Sequence, residues 1–273
     1  MSCFDSFLLL FLLLLALYKS SQFFRYACKF AFYFVYISTA SIILMPYFAL
    51  SPCNVNNLIV ASYVSRYISS VFGIKWNLKG KKFLSDDSPC VIVSNHQSAV
   101  DVLGMFDIWP IMGRCAPVGK RELLYIFPFG LAAWLAGLVF INRREPSQAK
   151  SQMNQAALWA KKEKIKLWIF PEGTRRDTGK IDEFKKGAFY TAIYAQLPIL
   201  PVVFSNYYFL NSREKRFDPG EVIITVLPPI PTEGMTVNDL EKLMSQTRTA
   251  MENALFEANK EVRELANIRA NIK

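Results

Sequence analysis

Two apolar stretches close to the amino terminus constrain the fold of this chain most strongly. The longer one, from Phe30 to Leu50, runs for 21 residues without a charged side chain. An α-helix of this length spans the roughly 30 Å hydrocarbon core of a bilayer. The shorter one, from Phe4 to Tyr18, is rich in leucine, is only 15 residues long and has no basic segment before it. We therefore expect residues 1–52 to form a membrane-embedded helical hairpin that is retained as an anchor.

Positive charges on both sides of the longer stretch give conflicting indications of its topology. Lys19, Arg25 and Lys29 lie before it, whereas a second basic set follows it: Lys75, Lys79, Lys81 and Lys82. Because positive charge accumulates on the cytosolic side, both sets cannot be cytosolic if the stretch crosses the bilayer fully. A re-entrant pair of helices or a single true span resolves the conflict, and the sequence leaves both open.

A third apolar stretch, from Leu123 to Ile141, has the hydropathy of a membrane span but not its regularity. Pro128, Gly130 and Gly137 interrupt it, and it lies between two polar motifs that we assign to one site below. A crossing would place these motifs on opposite sides of the membrane. We therefore predict a helix, packed on the core or lying at the membrane interface, followed by a strand.

From about Val71 onward, short apolar runs alternate with helix-like windows. The runs that predict buried strands are Cys90–Ser94, Leu138–Asn142, Lys166–Gly173, Pro198–Asn206 and Glu221–Ile230, and the helix-like windows are Ala99–Phe106, Pro146–Lys162 and Lys186–Gln196. Continuous apolar strands separated by helices indicate an α/β fold with a largely parallel sheet flanked by helices. We assign residues 53–273 to this domain. It ends in a long amphipathic helix from Thr236 to about Ile268, which a capping box of Thr236 and Asp239 begins.

Charge and residue counts narrow the classes of partner. Lysine and arginine number 32 against 22 acidic residues, a net charge of +10. A basic, apolar-rich chain favours acidic membrane surfaces, phosphorylated ligands or nucleic acid. Nucleic-acid binding is disfavoured because the arginines follow apolar strands without interleaved aromatic residues. The five cysteines are scattered and there is one histidine, so the sequence predicts no metal site and no disulfide framework.

The single histidine, His96, follows the buried run Cys90–Ser94, and Asp101 lies five residues later. Residues five apart are about 140° apart on an ideal helix, so the two side chains can meet only if His96 lies on a non-helical turn. An aspartate bonded to Nδ1 fixes the tautomer and leaves Nε2 free as a base. The alternative is a capping or core histidine with an unrelated Asp101, which the helix dipole favours at a helix start. The spacing alone leaves both open.

Other strand ends deliver basic and polar residues toward the same edge. The motif FPEGTRR places Glu172, Gly173, Thr174 and Arg175 after one strand, and GLVFINRR places Arg143 after another. A glycine and a hydroxyl beside a strand-end arginine suit an oxyanion or a phosphate, which arginine binds in bidentate fashion. The sequence therefore predicts one site with a general base and several phosphate ligands.

The motifs NHQSAVD, GLVFINRR, FPEGTRR and LPILPVV together resemble, in order and approximate spacing, the four blocks of the glycerolipid acyltransferase family. The resemblance is closest to the 1-acylglycerol-3-phosphate (lysophosphatidic acid) acyltransferases. It implies transfer of an acyl group from acyl-CoA to the 2-hydroxyl of lysophosphatidate, giving phosphatidate. The implied roles are His96 as general base, Asp101 as its orienting partner, Arg143 with Glu172, Gly173, Thr174 and Arg175 as acceptor-phosphate ligands, and Pro198, Ile199 and Pro201 on the acyl-donor side. Asn142 departs from the aspartate common in the family at its position.

The same resemblance implies no cofactor beyond acyl-CoA as co-substrate, the lipid bilayer as partner, and residence in the endoplasmic reticulum membrane. An acyl-serine route through Ser98 is disfavoured, since the chain has no G-x-S-x-G motif. Two alternatives stay open. The acceptor could be another lysophospholipid or glycerol 3-phosphate, or the protein could bind anionic lipid without catalysis.

Overall fold

The strands and helices of the chain form an α/β domain preceded by two apolar helices. The computed structural model describes residues 3–272, with side chains for residues 3–267. The strands in this range are β1 (Ile74–Lys79), β2 (Val91–Ser94), β3 (Cys115–Lys120), β4 (Val139–Ile141), β5 (Lys166–Ile169), β6 (Ile199–Phe204), β7 (Leu210–Asn211), β8 (Arg216–Phe217) and β9 (Gly220–Val226). The α-helices are α1 (Cys3–Ser20), α2 (Gln22–Ala49), α3 (Asn56–Ser65), α4 (Tyr67–Phe72), α5 (Lys81–Leu84), α6 (Asp101–Met112), α7 (Phe129–Leu135), α8 (Pro146–Lys162), α9 (Gly187–Ala195) and α10 (Leu240–Ile272).

Seven of the described strands form one sheet in the order β1-β9-β6-β2-β5-β3-β4, and β7 and β8 form a separate hairpin. The five strands from β6 to β4 are parallel, whereas β9 is antiparallel to β6 and parallel to β1. The prediction of a largely parallel sheet flanked by helices is therefore confirmed. The five strands predicted from apolar runs are β2, β4, β5, β6 and β9.

Helices cover both faces of the sheet, which gives the domain two hydrophobic cores. Along β2, Ile92 points into the core shared with α2, α3 and α6, whereas Val91 and Val93 point into the core shared with α8, α9 and α10. All residues of β2, β5 and β6 are buried, as expected for parallel strands covered on both faces. The predicted capping box of Thr236 and Asp239 is present and begins a short 3₁₀ turn that leads into α10.

The sequence analysis did not identify β1 and β3, and each has a physical reason. The edge strand β1 alternates between inward and exposed side chains and carries lysines, so it has no apolar run. The strand β3 contains Pro117 and Gly119, two residues that disfavour strands. The direction of β9 also could not be read from its composition, because an apolar run is the same in either direction.

The two amino-terminal helices differ in how they meet the domain. Within residues 3–272 both α1 and α2 are long and apolar enough to cross a membrane, with mean hydropathies of 1.8 and 1.6. The leucine-rich α1 buries none of its residues. In contrast, α2 packs along the domain by one face over its whole length, and Tyr33 and Phe48 belong to the core.

Hydrogen bonds fix α2 to the domain at points from its first turn to its last. The side chain of Gln22 donates to the carbonyl of Glu214, and the hydroxyl of Tyr33 donates to the carbonyl of Ala99 at 3.1 Å. At the far end, the side-chain amide of Asn57 donates to the carbonyl of Phe48 in the last turn of α2 at 3.5 Å. The same amide donates to the carbonyl of Leu135, the last residue of α7, at 3.1 Å. The helix therefore lies lengthwise on the domain, and its boundary with the domain, predicted at residues 52 and 53, falls in the bend before α3.

The third apolar stretch forms a 3₁₀ turn (Arg121–Tyr125), the short helix α7 and the strand β4. This confirms the prediction of a helix followed by a strand. The helix α7 packs against α2. The turn and helix nevertheless leave five large apolar side chains exposed: Tyr125, Ile126, Phe127, Leu131 and Trp134. We call these five residues the α7 patch.

Candidate active site

The site lies at the carboxyl ends of the parallel strands, where ligands bind in open α/β sheets. The backbone of β2 leaves the sheet after Ser94. The side-chain amide of Asn95 then takes the place of a strand residue: it donates to the carbonyl of Phe204 and accepts from the amide of Phe204, each at 2.9 Å. Because a side chain completes this pairing, the main chain is free to turn, and His96 lies at the edge of the sheet.

His96 and Asp101 meet across this turn. The Nδ1 atom of His96 lies 2.6 Å from Oδ2 of Asp101, whose side chain is fully buried. His96 is in the non-helical segment and Asp101 is the first residue of α6, which is the fold-back arrangement that the spacing requires. The amides of Gln97 and Ser98 also donate to the Asp101 carboxylate, at 2.8 and 3.1 Å. An ionised aspartate held in this way orients the imidazole and fixes the proton on Nδ1.

Two neighbours fix the other side of the imidazole. The ring of Phe170 stacks on the ring of His96, with the centroids 3.9 Å apart and the planes 16° from parallel. The Nε atom of Arg175 lies 3.3 Å from Nε2 of His96 and donates to it. With the proton on Nδ1, the Nε2 lone pair faces the guanidinium group of Arg175.

The side chain of Glu172 holds the turn at His96 by accepting a hydrogen bond from the main chain of the turn. One carboxylate oxygen accepts from the amide of His96 at 2.8 Å, and the other accepts from the amide of Asp182 at 3.3 Å. The carboxyl is almost fully buried, and this burial raises the pKa of Glu172 to about 7. Through these contacts Glu172 joins the loop at His96 to the loop at Asp182. The phosphate-binding role that the resemblance implies for Glu172 stays a prediction.

The other phosphate ligands that we predicted surround the Gly173 peptide. Arg143 donates from Nη1 to the carbonyl of Gly173 at 2.8 Å. Gly173 has a φ of +75°, and a Cβ at this position would lie 3.0 Å from the side chain of Lys185, so only glycine fits without strain. Thr174 and Arg175 follow in the same exposed loop. The structure therefore places Arg143, Lys185 and Arg175 around one loop beside His96.

Pro198, Ile199 and Pro201 do not join this cluster. Ile199 pairs with Val91, at the start of β2, and Pro201 pairs with Val93 inside the sheet. Ile199 and Pro201 are buried in the sheet, and Pro198 and Ile199 lie at the edge opposite to His96. Their predicted place on the acyl-donor side has no support from contact with the site.

Asn142, the residue that departs from the family pattern, makes hydrogen bonds with residues that follow it in the chain. Its side-chain amide donates to Glu145 and Gln148 in the segment that opens α8, and its oxygen accepts from the amide of Arg144. It therefore fixes the turn that carries Arg143.

A cleft of about 400 Å³ opens beside the dyad. Its lining includes Gln97 and Ser98 from the turn between His96 and Asp101, Arg175, and Tyr26 and Phe30 from α2. A membrane-type helix therefore forms one wall of the cleft next to the candidate base.

Sequence reasoning missed several residues that shape this site. Phe170 precedes Pro171 in the FPEGTRR motif, so the motif itself could have indicated it. Tyr207 follows β6, and its buried hydroxyl faces Asp101; burial and this carboxylate raise the pKa of Tyr207 well above its usual value. Tyr33 lies among many aromatic residues of α2, and no pattern distinguishes it.

Comparison with known proteins identifies the family to which the chain belongs. The sequence profile of the acyltransferase family matches residues 75–205. The chain is 40% identical over 228 residues to human 1-acyl-sn-glycerol-3-phosphate acyltransferase alpha, covering 83% of this chain and 80% of that protein. It is 37% identical over 260 residues to the human beta enzyme, covering 94% and 92%. The crystal structure of the 1-acyl-sn-glycerophosphate (LPA) acyltransferase PlsC from Thermotoga maritima superposes with a TM-score of 0.66 at 19% identity, covering 85% of this chain and 97% of that one, which supports the fold. The chain thus belongs to the acyltransferase family, and its relatives in that family include human 1-acyl-sn-glycerol-3-phosphate acyltransferases alpha and beta.

Proposed function

We propose that this enzyme transfers an acyl group from acyl-CoA to the 2-hydroxyl of 1-acylglycerol 3-phosphate, giving phosphatidate and CoA. The observation that carries the proposal is the 2.6 Å contact between His96 Nδ1 and the buried Asp101 carboxylate. Nε2 of His96 contacts Arg175, and Arg175 and the adjacent residues Gln97 and Ser98 line a cleft. The two human relatives are 1-acyl-sn-glycerol-3-phosphate acyltransferases, which supports this acceptor.

In the proposed mechanism His96 is the general base. Nε2 accepts the proton of the acceptor hydroxyl while that oxygen forms a bond with the thioester carbonyl carbon. Asp101 keeps the imidazole in the required tautomer and stabilises the imidazolium. When the tetrahedral intermediate collapses, the carbon–sulfur bond breaks and the imidazolium returns its proton to the leaving thiolate. No covalent enzyme intermediate is required.

The acceptor phosphate is proposed to bind at the Gly173 loop. Arg143 and Arg175 are the positively charged members of the predicted ligand set, and the nearby side chain of Lys185 adds a third positive charge. Guanidinium groups bind phosphate oxygens in pairs, which also orients the glycerol backbone. Because Arg175 already contacts Nε2 of His96, a phosphate bound to it lies close to the base, as transfer to the neighbouring hydroxyl requires.

We further propose that the protein lies on one leaflet of a membrane. A helix that packs lengthwise on a globular domain cannot cross the bilayer without carrying the domain with it. The face of α2 opposite the domain is nevertheless apolar and exposed: Phe23, Phe32, Phe34, Val35, Ile42, Ile43 and Tyr47. An exposed apolar face beside the leucine-rich α1 favours insertion into the headgroup and acyl boundary. Of the two topologies that the sequence leaves open, this arrangement therefore favours the re-entrant pair of helices. The family resemblance suggests that the membrane is that of the endoplasmic reticulum.

The test of the activity is acyl transfer by full-length protein in isolated membranes. Labelled oleoyl-CoA is supplied with lysophosphatidate, with glycerol 3-phosphate or with lysophosphatidylcholine. Wild type, His96→Ala and Ser98→Ala are compared at equal expression. We expect phosphatidate from lysophosphatidate with wild type and Ser98→Ala, and a loss with His96→Ala.

Other outcomes separate the alternatives. Transfer to one of the other two acceptors alone would keep the base and replace the acceptor. Loss of activity in Ser98→Ala with retention in His96→Ala would indicate an acyl-serine route. No transfer with any of the three acceptors would favour a lipid-binding protein without catalysis.

A further inference from the structure

The helix α2 does more than attach the domain, because one of its faces touches the catalytic turn. Tyr26, Phe30 and Tyr33 are spaced four and three residues apart, so they lie on one face of the helix. Tyr26 and Phe30 line the cleft together with Gln97 and Ser98. Tyr33 continues this face into the interior, where it is 6% exposed.

The hydroxyl of Tyr33 makes a direct bond to the turn between His96 and Asp101. It donates to the carbonyl of Ala99 at 3.1 Å. On its inner side the same turn is bonded to the Asp101 carboxylate, through the amides of Gln97 and Ser98. From the sheet it is held by the side-chain amide of Gln97, which donates to the carbonyl of Ser205 at 3.0 Å.

We propose that Tyr33 is a positioning residue for the acyl transfer, through which the amino-terminal helix holds the His96–Asp101 turn in its reactive geometry. The bond joins the apolar amino-terminal helix α2 to the main chain of the turn itself. A turn that carries a general base must keep its geometry within a few tenths of an ångström, since small misplacements lower rates steeply. Tyr33 does not contact the reacting atoms, and it acts through Ala99.

The chain offers a matched control three residues further along the same helix. The hydroxyl of Tyr36 also donates to a main-chain carbonyl, that of Val64, at 2.8 Å. Val64 belongs to α3, which is not part of the catalytic turn. Tyr36→Phe and Tyr33→Phe therefore each remove one hydroxyl from α2 and leave a ring of the same shape, and they differ in which main-chain segment is released.

The test compares wild type, Tyr33→Phe and Tyr36→Phe as full-length proteins in lipid nanodiscs. A net hydrogen bond of this kind corresponds to about a tenfold change, so we expect Tyr33→Phe to lower kcat about tenfold. The KM for lysophosphatidate is expected to stay within about twofold, because the phosphate ligands are untouched. Tyr36→Phe should keep kcat within about twofold.

A second measurement separates positioning from general destabilisation. The chain has one histidine, so ¹⁵N-histidine labelling reports His96 alone. We expect the ring-nitrogen signals to shift or broaden in Tyr33→Phe and to be unchanged in Tyr36→Phe, with thermal unfolding of the two variants measured in parallel. Equal kcat in the two variants together with unchanged His96 signals would overturn the inference.

The inference rests on the proposed function for its kinetic readout only. If the wild type shows no acyl transfer, the proposed function fails and the histidine spectra still decide the role of Tyr33. Spectra that change equally in both variants would show that any loosening of α2 disturbs the site, which would also contradict a specific role for Tyr33.

Discussion

The Nε atom of Arg175 donates a hydrogen bond to Nε2 of His96 over 3.3 Å. That nitrogen carries the lone pair with which the imidazole would accept a proton, so the contact occupies the base in the absence of substrate. A phosphate dianion is a stronger acceptor for a guanidinium than a neutral imidazole. We expect acceptor binding to draw Arg175 toward the phosphate and to free the base at the same step.

Substitution of Arg175 separates these two effects. We expect Arg175→Ala to raise the KM for lysophosphatidate about tenfold or more, the range for loss of a charged hydrogen bond. The same variant should react faster than wild type with a histidine-selective acylating reagent, since Nε2 loses its donor and the chain has one histidine. Arg176→Ala is the control, because Arg176 pairs with Asp182 at 2.9 Å instead. A KM unchanged in Arg175→Ala would exclude this residue as a phosphate ligand.

Removal of the negative charge on Asp101 tests the dyad. We expect Asp101→Asn to lower kcat by about 10²- to 10⁴-fold, the usual contribution of a working general base. The asparagine retains an oxygen for the amides of Gln97 and Ser98, so the turn should persist. Asp107→Asn, a half-buried position on the same helix, should keep activity near that of wild type. Steady-state kinetics of both variants decide the point, and a similar loss in the two would indicate damage to α6 rather than loss of the dyad.

Glu172 predicts a pH dependence of stability. Burial raises its pKa from 4.5 to about 7, so the folded state binds this proton more tightly than the unfolded state. The stability it contributes is complete below pH 4.5 and is lost as the pH rises through 7. The difference amounts to at most about 3 kcal/mol.

The Glu172→Gln variant cannot ionise at this position, so its stability should lack this pH-dependent contribution. We expect thermal unfolding of the wild type in detergent to weaken between pH 5 and pH 8 more than that of the variant. The variant also has only one acceptor oxygen for two amides, so its stability is expected to be lower at pH 5. Parallel curves for the two proteins across this range would show that Glu172 keeps an ordinary pKa.

The α7 patch predicts a third contact with the bilayer beside α1 and α2. Trp134 in this patch is 43% exposed, whereas Trp109 and Trp168 are buried. With full-length protein in vesicles of brominated phospholipid, we expect quenching of tryptophan fluorescence that Trp134→Phe removes in large part. Trp159 on α8 is partly buried against the core on the other face of the sheet, and Trp159→Phe should be quenched like wild type. Equal quenching in all three proteins would exclude contact of the patch with acyl chains.

The parts of the fold that the sequence predicted were those with a strong local pattern. Runs such as Cys90–Ser94 predicted buried strands because both faces of each strand are covered, and Thr236 with Asp239 predicted a helix start from side-chain chemistry. The edge strand at Ile74–Lys79 was missed because half of its side chains face outward. The direction of Gly220–Val226 depends on long-range packing, which no local pattern records.

The residues of the candidate site also fall into those with a local sequence signal and those without one. His96, Asp101, Arg143 and Arg175 could be selected because they belong to short motifs that follow apolar strands, and because those motifs resemble the blocks of a known family. The contact of Tyr33 with Ala99 could not be predicted, since it joins residues 66 positions apart and Tyr33 has no distinctive local signal. The pairing of the Asn95 amide with Phe204 was hidden for the same reason, over 109 positions.

The lengthwise position of α2 also bears on how the reaction rate should depend on substrate. A cleft with a wall that is part of a leaflet-bound helix draws its acceptor from lipid that diffuses in two dimensions. The relevant variable is then the mole fraction of lysophosphatidate in that leaflet and not its amount per volume of solution. Diluting the acceptor with inert phospholipid should slow the enzyme even when the total quantity of acceptor in the assay is constant.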